Sequence, residues 1–364
     1  MIPSPNLSLS PPPSQSDLSR EIKKTNMTQV ANIPIIDISD DAQDQAQVAR
    51  DLVDAAIEHG FIYIKNTGND IPLKAIDAAF ELSKKLFAAP LEEKQSCAIQ
   101  QNNRGWTAMQ YETLDPKNQK VGDLKEAFNF GEFINHKAQQ PLPPSIASHE
   151  SQISAFRDLC YHLTLKLNTL LGIGLQVTPP DFFTKAHLRT TGPSGTTLRL
   201  LHYPPAPTPP PPDTMRAGAH SDYGSLTLLF RLPPPNQPDT AGAGAGDGLE
   251  ILTPSGTWEP VPVCPSGTEA AEAPPILVNV GDLLSYWTGG LLRSTVHRVV
   301  FPEGREGGGG ERYSIAYFCH PAGGVRGFVG REGGKGSNGG VMTADEHLQM
   351  RLKASYLELY KDED

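Results

Sequence analysis

TLRLLHY (197–203), SLTLLFRL (225–232), GLEIL (248–252), PILVNV (275–280), TVHRVVF (295–301) and RYSIAYF (312–318) are short β-rich runs with turn-forming segments between them. No helical pattern intervenes, so the six read as the strands of a sandwich, barrel or jelly roll. Glycine and proline number 34 each and cluster between these runs, which favours β architecture over a helical bundle. The inserts PPAPTPPPPD (204–213), PPPNQPDTAGAGAGDG (233–248), PEGREGGGGE (302–311) and GGVRGFVGREGGKGSNGG (323–340) have the composition of solvent-exposed loops. The proline tract tends to polyproline II and the Gly/Ala tract to coil, and variation of loop length at the surface explains them better than an active-site lid.

Outward from this core, the N-terminal side mixes short strands and helices. IPIIDIS (33–39) and GFIYIKNTG (60–68) are strand candidates, and between them Val48, Leu52, Ala55, Ala56 and Ile57 mark a helix. Further helical patterns cover about 73–88, stopping before Pro90, and about 149–173, where Ile153, Phe156, Leu159, Leu163, Leu167, Leu170 and Leu171 fall on or near one face. TADEHLQMRLKASYLELYKDE (343–363) predicts a C-terminal helix: Thr343 and Glu346 have the spacing of a capping box, and Leu348, Leu352, Tyr356 and Leu359 make its apolar stripe. The organisation expected is therefore a disordered tail over 1–28, an α/β region over 29–175, a β core with Pro/Gly-rich loops over 176–342, and a terminal helix over 343–364.

Composition narrows the function classes. A net charge of −10 provides no basic face for a phosphate backbone, which argues against a nucleic-acid partner. Cys97, Cys160, Cys264 and Cys319 are scattered without zinc or disulfide-scaffold spacing and read as reduced thiols. With no apolar run long enough to span a bilayer and no signal-like h-region, the expected location is the cytoplasm, and an acidic surface without an interface motif makes the monomer the default.

The chemistry concentrates in His220-Ser221-Asp222 and, further on, His297. In extended chain, residues i and i+2 point to one side, so His220 and Asp222 can present an imidazole and a carboxylate to one point. Two histidines and one carboxylate occupy one face of an octahedron and leave three positions open, the facial triad of Fe(II) and O₂ chemistry. Arg312 and Ser314 repeat the spacing in RYSIAYF, where a guanidinium fork beside a hydroxyl makes a carboxylate receptor.

HSDYGSLTLLF (220–230), GLEIL (248–252), NVGDLLSYWTGGLLRSTVHRVV (279–300) and RYSIAYFCHP (312–321), with IPIIDIS, GFIYIKNTG, RGW (104–106) and KEAFNFG (125–131) ahead of them, occur in an order and spacing that resembles the isopenicillin N synthase-like branch of the 2-oxoglutarate/Fe(II) dioxygenase superfamily. The resemblance, covering about residues 33 to 360, implies a mainly β fold with flanking helices around a double-stranded β-helix, the cupin-like jelly roll. It implies that His220, Asp222 and His297 hold Fe(II), that Arg312 and Ser314 bind the distal carboxylate of the co-substrate 2-oxoglutarate with Tyr203 assisting, and that Arg104 and Phe318 contact substrate. The departures are His202, where many relatives carry another polar residue, and Thr67, where the relatives' strand often ends in histidine. The implied reaction couples decarboxylation of 2-oxoglutarate by O₂, giving succinate and CO₂, to hydroxylation, desaturation or ring closure of a small organic molecule, in secondary metabolism. Asn279, Gly281 and Asp282 are expected to shape the turn before the next strand rather than join the chemistry. Three alternatives stay open: an Fe(II) oxidase of the same family that needs no 2-oxoglutarate, a zinc hydrolase on the same three ligands, and a binding protein without activity.

Overall fold

The computed structural model describes residues 30–39, 44–205, 214–232, 247–268, 271, 274–301, 310–326, 342–356 and 359. The expected tail over 1–28 and most of the four inserts lie outside them.

In chain order the strands are β1 (Ile35–Ile36), β2 (Phe61–Ile64), β3 (Gly105–Thr107), β4 (Glu126–Phe130), β5 (Thr197–Tyr203), β6 (Ala217–His220), β7 (Leu226–Arg231), β8 (Leu249–Leu252), β9 (Trp258–Pro260), β10 (Ile276–Val280), β11 (His297–Val299) and β12 (Arg312–Cys319). The larger helices are α1 (Gln45–Glu58), α2 (Leu73–Phe87), α3 (Glu150–Gly174), α4 (Asp282–Trp287) and α5 (Ala344–Ser355). Two sheets result. One has eight strands in the order β1-β2-β10-β7-β12-β5-β4-β3, the other four in the order β9-β8-β11-β6. Apart from the parallel pair β1–β2, every pairing in them is antiparallel. The alternation of non-consecutive neighbours between facing sheets is the double-stranded β-helix.

The two-residue period of a strand decides what each face of the large sheet does. On β12, Tyr313, Ile315, Tyr317 and Cys319 turn to the helical side, while Arg312, Ser314, Ala316 and Phe318 line a cavity between the sheets. Strand β5 repeats this: Leu198 and Leu200 pack toward the helices, and Thr197, Arg199, Leu201 and Tyr203 face the cavity. The apolar residues of the outer face meet α1, α2 and α3 in the main core. Both faces of these central strands are buried, which is why TLRLLHY reads as a nearly continuous apolar run rather than a polar–apolar alternation.

Three expectations need correction. A helix, α4, does intervene between β10 and β11; at six residues it is too short to show a period, and burial of Leu283, Leu284 and Trp287 holds it. The strands AGAH (β6) and WEP (β9) were not expected, because neither run has a β-forming composition: pairing with β11 and β8 makes them strands. The C-terminal helix begins with the capping box of Thr343 and Glu346 and ends at Ser355, where Tyr356 leaves helical geometry (φ −118°, ψ 59°); of the rest of the expected span to 363, only residue 359 lies among the described residues. Leu348, Leu352 and Tyr356 are buried as the stripe requires.

Candidate active site

The end of β6, the turn after it and the start of β11 bring three side chains together. His297 pairs with His220 in the β6–β11 register, and Asp222 follows two residues after His220. The turn that carries Asp222 is pinned by close backbone packing: Asp282 N–H donates to the Asp222 carbonyl (2.7 Å), and a Cβ on Gly281 would stand 2.3 Å from the Gly224 carbonyl oxygen. Only glycine allows that approach. Nε2 of His220 and of His297 lie 3.9 and 3.8 Å from Asp222 Oδ1, and one candidate ligand atom from each residue falls within 4.8 Å of the others.

Hydrogen bonds around the three select which atoms point inward. His220 Nδ1 donates to the Gly218 carbonyl (2.8 Å) and His297 Nδ1 to the Thr295 carbonyl (3.1 Å), so each Nε2 is left with its lone pair toward the centre. Asp222 Oδ2 accepts from Thr227 Oγ1 (2.7 Å) and Asn279 Nδ2 (2.6 Å), leaving Oδ1 for the same point. Burial and the neighbouring His297 push His220 down to about 3, which keeps its imidazole neutral. Burial alone would raise Asp222, but His297, His220 and the Asn279 and Thr227 bonds outweigh it and hold the carboxyl below its usual range. Two imidazoles and a carboxylate, oriented from behind, are the donor set of a divalent metal centre with open positions, and Fe(II) fits them.

Arg312 and Ser314 stand on the same cavity, Nη1 donating to Ser314 Oγ at 3.2 Å. The guanidinium lies over the Tyr203 ring, 4.6 Å to its centre, across the β5–β12 pairing. Phe318 lines the cavity, whereas Arg104 lies in an adjoining groove with Asp345 and Glu346. His202 points the other way, to Glu126 (2.9 Å) and onto Tyr313, so that departure from the relatives lies off the cavity.

Sequence reasoning missed much of the rest. Asn279 belongs with Asp222 rather than merely shaping a turn, and the turn leads into α4, not a strand. The cavity wall also carries a buried ion network: Arg199 bonds Glu112 through both Nη atoms (3.1 and 2.7 Å), Lys125 bonds Glu112 (2.8 Å) and Asp123, and Asp123 accepts from the Gly218 amide (3.0 Å) two residues before His220. A charge at the centre of the buried run TLRLLHY was a usable signal for Arg199, and Tyr356 was expected only as part of an apolar stripe; Glu112, which also lines the cavity, carries no signal in its local sequence.

Against this geometry the comparisons with known proteins are specific. A family model described as the N-terminal region of non-haem dioxygenases in morphine synthesis matches residues 33–149, and one described as the 2OG-Fe(II) oxygenase superfamily matches residues 195–321. The 2-oxoglutarate-dependent dioxygenase gloF of Glarea lozoyensis is 33% identical over 285 residues, 72% of this chain and 78% of that protein. The chain belongs to the 2OG-Fe(II) oxygenase superfamily. This oxygenase is also 40% identical to the UPF0676 protein C1494.01 of Schizosaccharomyces pombe over 296 residues, 79% of this chain and 82% of that one. The crystal structure of a full-length Neurospora crassa protein in complex with alpha-KG matches with a TM-score of 0.69 at 28% identity, covering 88% of this chain and 95% of that chain. The oxygenase is thus an oxidoreductase that works with Fe(II), 2-oxoglutarate and O₂, on a jelly-roll fold. Among its described residues no helix is long and apolar enough to cross a membrane.

Proposed function

We propose that this oxygenase oxidises a C–H bond of a small organic molecule in secondary metabolism, with Fe(II) held by His220, Asp222 and His297 and the distal carboxylate of 2-oxoglutarate held by Arg312 and Ser314, beside Tyr203. The observation that carries this reading is convergence: the three inward ligand atoms and the Arg312–Ser314 pair line one cavity.

Bound iron supplies the site for O₂ and the oxidation of 2-oxoglutarate to succinate and CO₂ that generates the oxidant. The chain's own residues do the positioning. Arg312 and Ser314 fix one end of the 2-oxo acid by charge-assisted hydrogen bonds, with the His/Asp/His set on the same cavity. Leu114, Leu229, Leu249, Val299 and Phe318 give the cavity apolar walls that exclude water, and Glu112, Lys125 and Arg199 add polar groups to its wall for orienting a substrate. Arg104, in the adjoining groove, is a rim contact in this reading. The choice among hydroxylation, desaturation and ring closure then depends on which C–H bond the walls present.

The test is succinate formation and O₂ uptake by the iron-loaded protein against a panel of small molecules. Uptake stimulated by one of them, with matching succinate, supports the proposal; turnover that requires a protein or nucleic-acid substrate contradicts it.

A further inference from the structure

Arg312 is gripped from behind. Its Nε and Nη2 both bond Asp247 Oδ2, at 2.9 and 2.8 Å. The other carboxylate oxygen, Oδ1, accepts from Arg231 Nη1 (3.2 Å) and from the Leu249 amide (3.4 Å). Arg231 is fixed in turn by the carbonyls of Val261 (2.8 Å) and Pro262 (2.6 Å). All three charged side chains are buried: Arg231 is 6% exposed, Asp247 4% and Arg312 7%. Yet only Arg312 lines the cavity, so Asp247 stands on the side of the guanidinium away from bound ligands.

This arrangement does two things. A planar guanidinium held along its Nε–Nη2 edge cannot swing about its stem, and what it offers the cavity is set by the Nη1 side, beside Ser314. One carboxylate between two guanidiniums also leaves one net positive charge, the complement of a single distal carboxylate. The sequence puts Asp247 at the end of the Gly/Ala-rich insert, where a solvent-exposed loop was expected, and the buried residue is instead the point at which that loop meets β8.

We propose that Asp247 is a positioning residue for 2-oxoglutarate: by holding Arg312 from the rear it sets the reach of the carboxylate receptor and thereby selects the chain length of the 2-oxo dicarboxylic acid. The inference rests on the assignment of Arg312 to the distal carboxylate. It is tested with the full chain loaded anaerobically with Fe(II), titrated calorimetrically with 2-oxoglutarate and with 2-oxoadipate, for wild type, Asp247→Asn, Asp247→Glu and Arg312→Ala. Asp247→Asn weakens 2-oxoglutarate binding by about tenfold or more while Fe(II) affinity stays within about twofold. Asp247→Glu, which keeps the charge and folds if the Asn variant does not, shifts preference toward the wrong chain length by about fivefold or more, a change that loss of general stability would not produce. Wild-type affinity and wild-type preference in the folded Asp247 variants, with Arg312→Ala weakened, overturn the proposal. Tighter 2-oxoglutarate binding in Asp247→Asn overturns it too, since Asp247 would then compete with the co-substrate. If Arg312→Ala binds 2-oxoglutarate like wild type, the co-substrate assignment itself falls and the proposal falls with it.

Discussion

Two groups of polar side chains share the cavity wall. His220 with Asp222 and Arg312 with Ser314 are pairs spaced i, i+2, joined by His297 from a paired strand. Glu112, Lys125, Arg199 and Tyr356 come instead from three separate segments, the connection between β3 and β4, strand β5 and the residue after α5, and meet only because these close on one another. The first group is set by local backbone geometry and uses the same atoms whatever the organic substrate. The second is set by tertiary closure, and it is where substrate recognition has room to differ. The contrast predicts that changes in the first group abolish chemistry with modest cost to folding, whereas changes in the second cost stability as well as selectivity.

The largest effect belongs to the first group. His297→Ala removes one of three ligands and should eliminate stoichiometric Fe(II) binding, read as metal content after desalting, with little change in the far-UV circular dichroism. In the second group, Glu112→Gln should cost on the order of 3 kcal/mol in denaturant unfolding, because Arg199 and Lys125 remain buried with their shared carboxylate gone. That difference has a pH signature. Burial alone would raise Glu112, but Arg199 and Lys125 outweigh it and hold the carboxyl well below the usual range. The stabilisation is therefore fully present above the unfolded value of about 4.3 and is lost as pH falls toward the folded one, so the gap between wild type and Glu112→Gln should narrow below pH ~4. A pH-independent gap would mean that the network is not ionised as described.

Asn279→Ala sharpens the boundary between ligand and support: it leaves the three ligands in place but frees Asp222 Oδ2, and should weaken Fe(II) roughly tenfold with the fold intact. The smallest effect is Thr343→Ala, which removes the α5 cap and should cost about 1 kcal/mol. Because α5 carries Leu348 and Leu352 to the cavity wall and leads into Tyr356 beside them, that variant should alter substrate KM before it alters 2-oxoglutarate binding.

The same contrast explains what the sequence could disclose. His-x-Asp and Arg-x-Ser are legible because a strand's two-residue period turns spacing directly into a shared face. The helices α1 to α3 are legible because they are long enough to show a period. Strand β6, written AGAH, and the six-residue α4 were not, since each owes its form to what it packs against. Asp247 was hidden in a low-complexity tract, and Asn279 in a segment whose neighbours pointed to a turn. A buried carboxylate that serves a remote arginine leaves no periodic trace, so Glu112 and Asp247 emerge only in three dimensions.

The central claim, one cavity holding both iron and 2-oxoglutarate, is tested most directly by the visible spectrum of the anaerobic Fe(II)-loaded protein on addition of 2-oxoglutarate. The account predicts a new charge-transfer band in the wild type, absent in His297→Ala and displaced to higher 2-oxoglutarate concentration, by roughly tenfold or more, in Arg312→Ala. Iron binding without any such band, or a band indifferent to both substitutions, would contradict it.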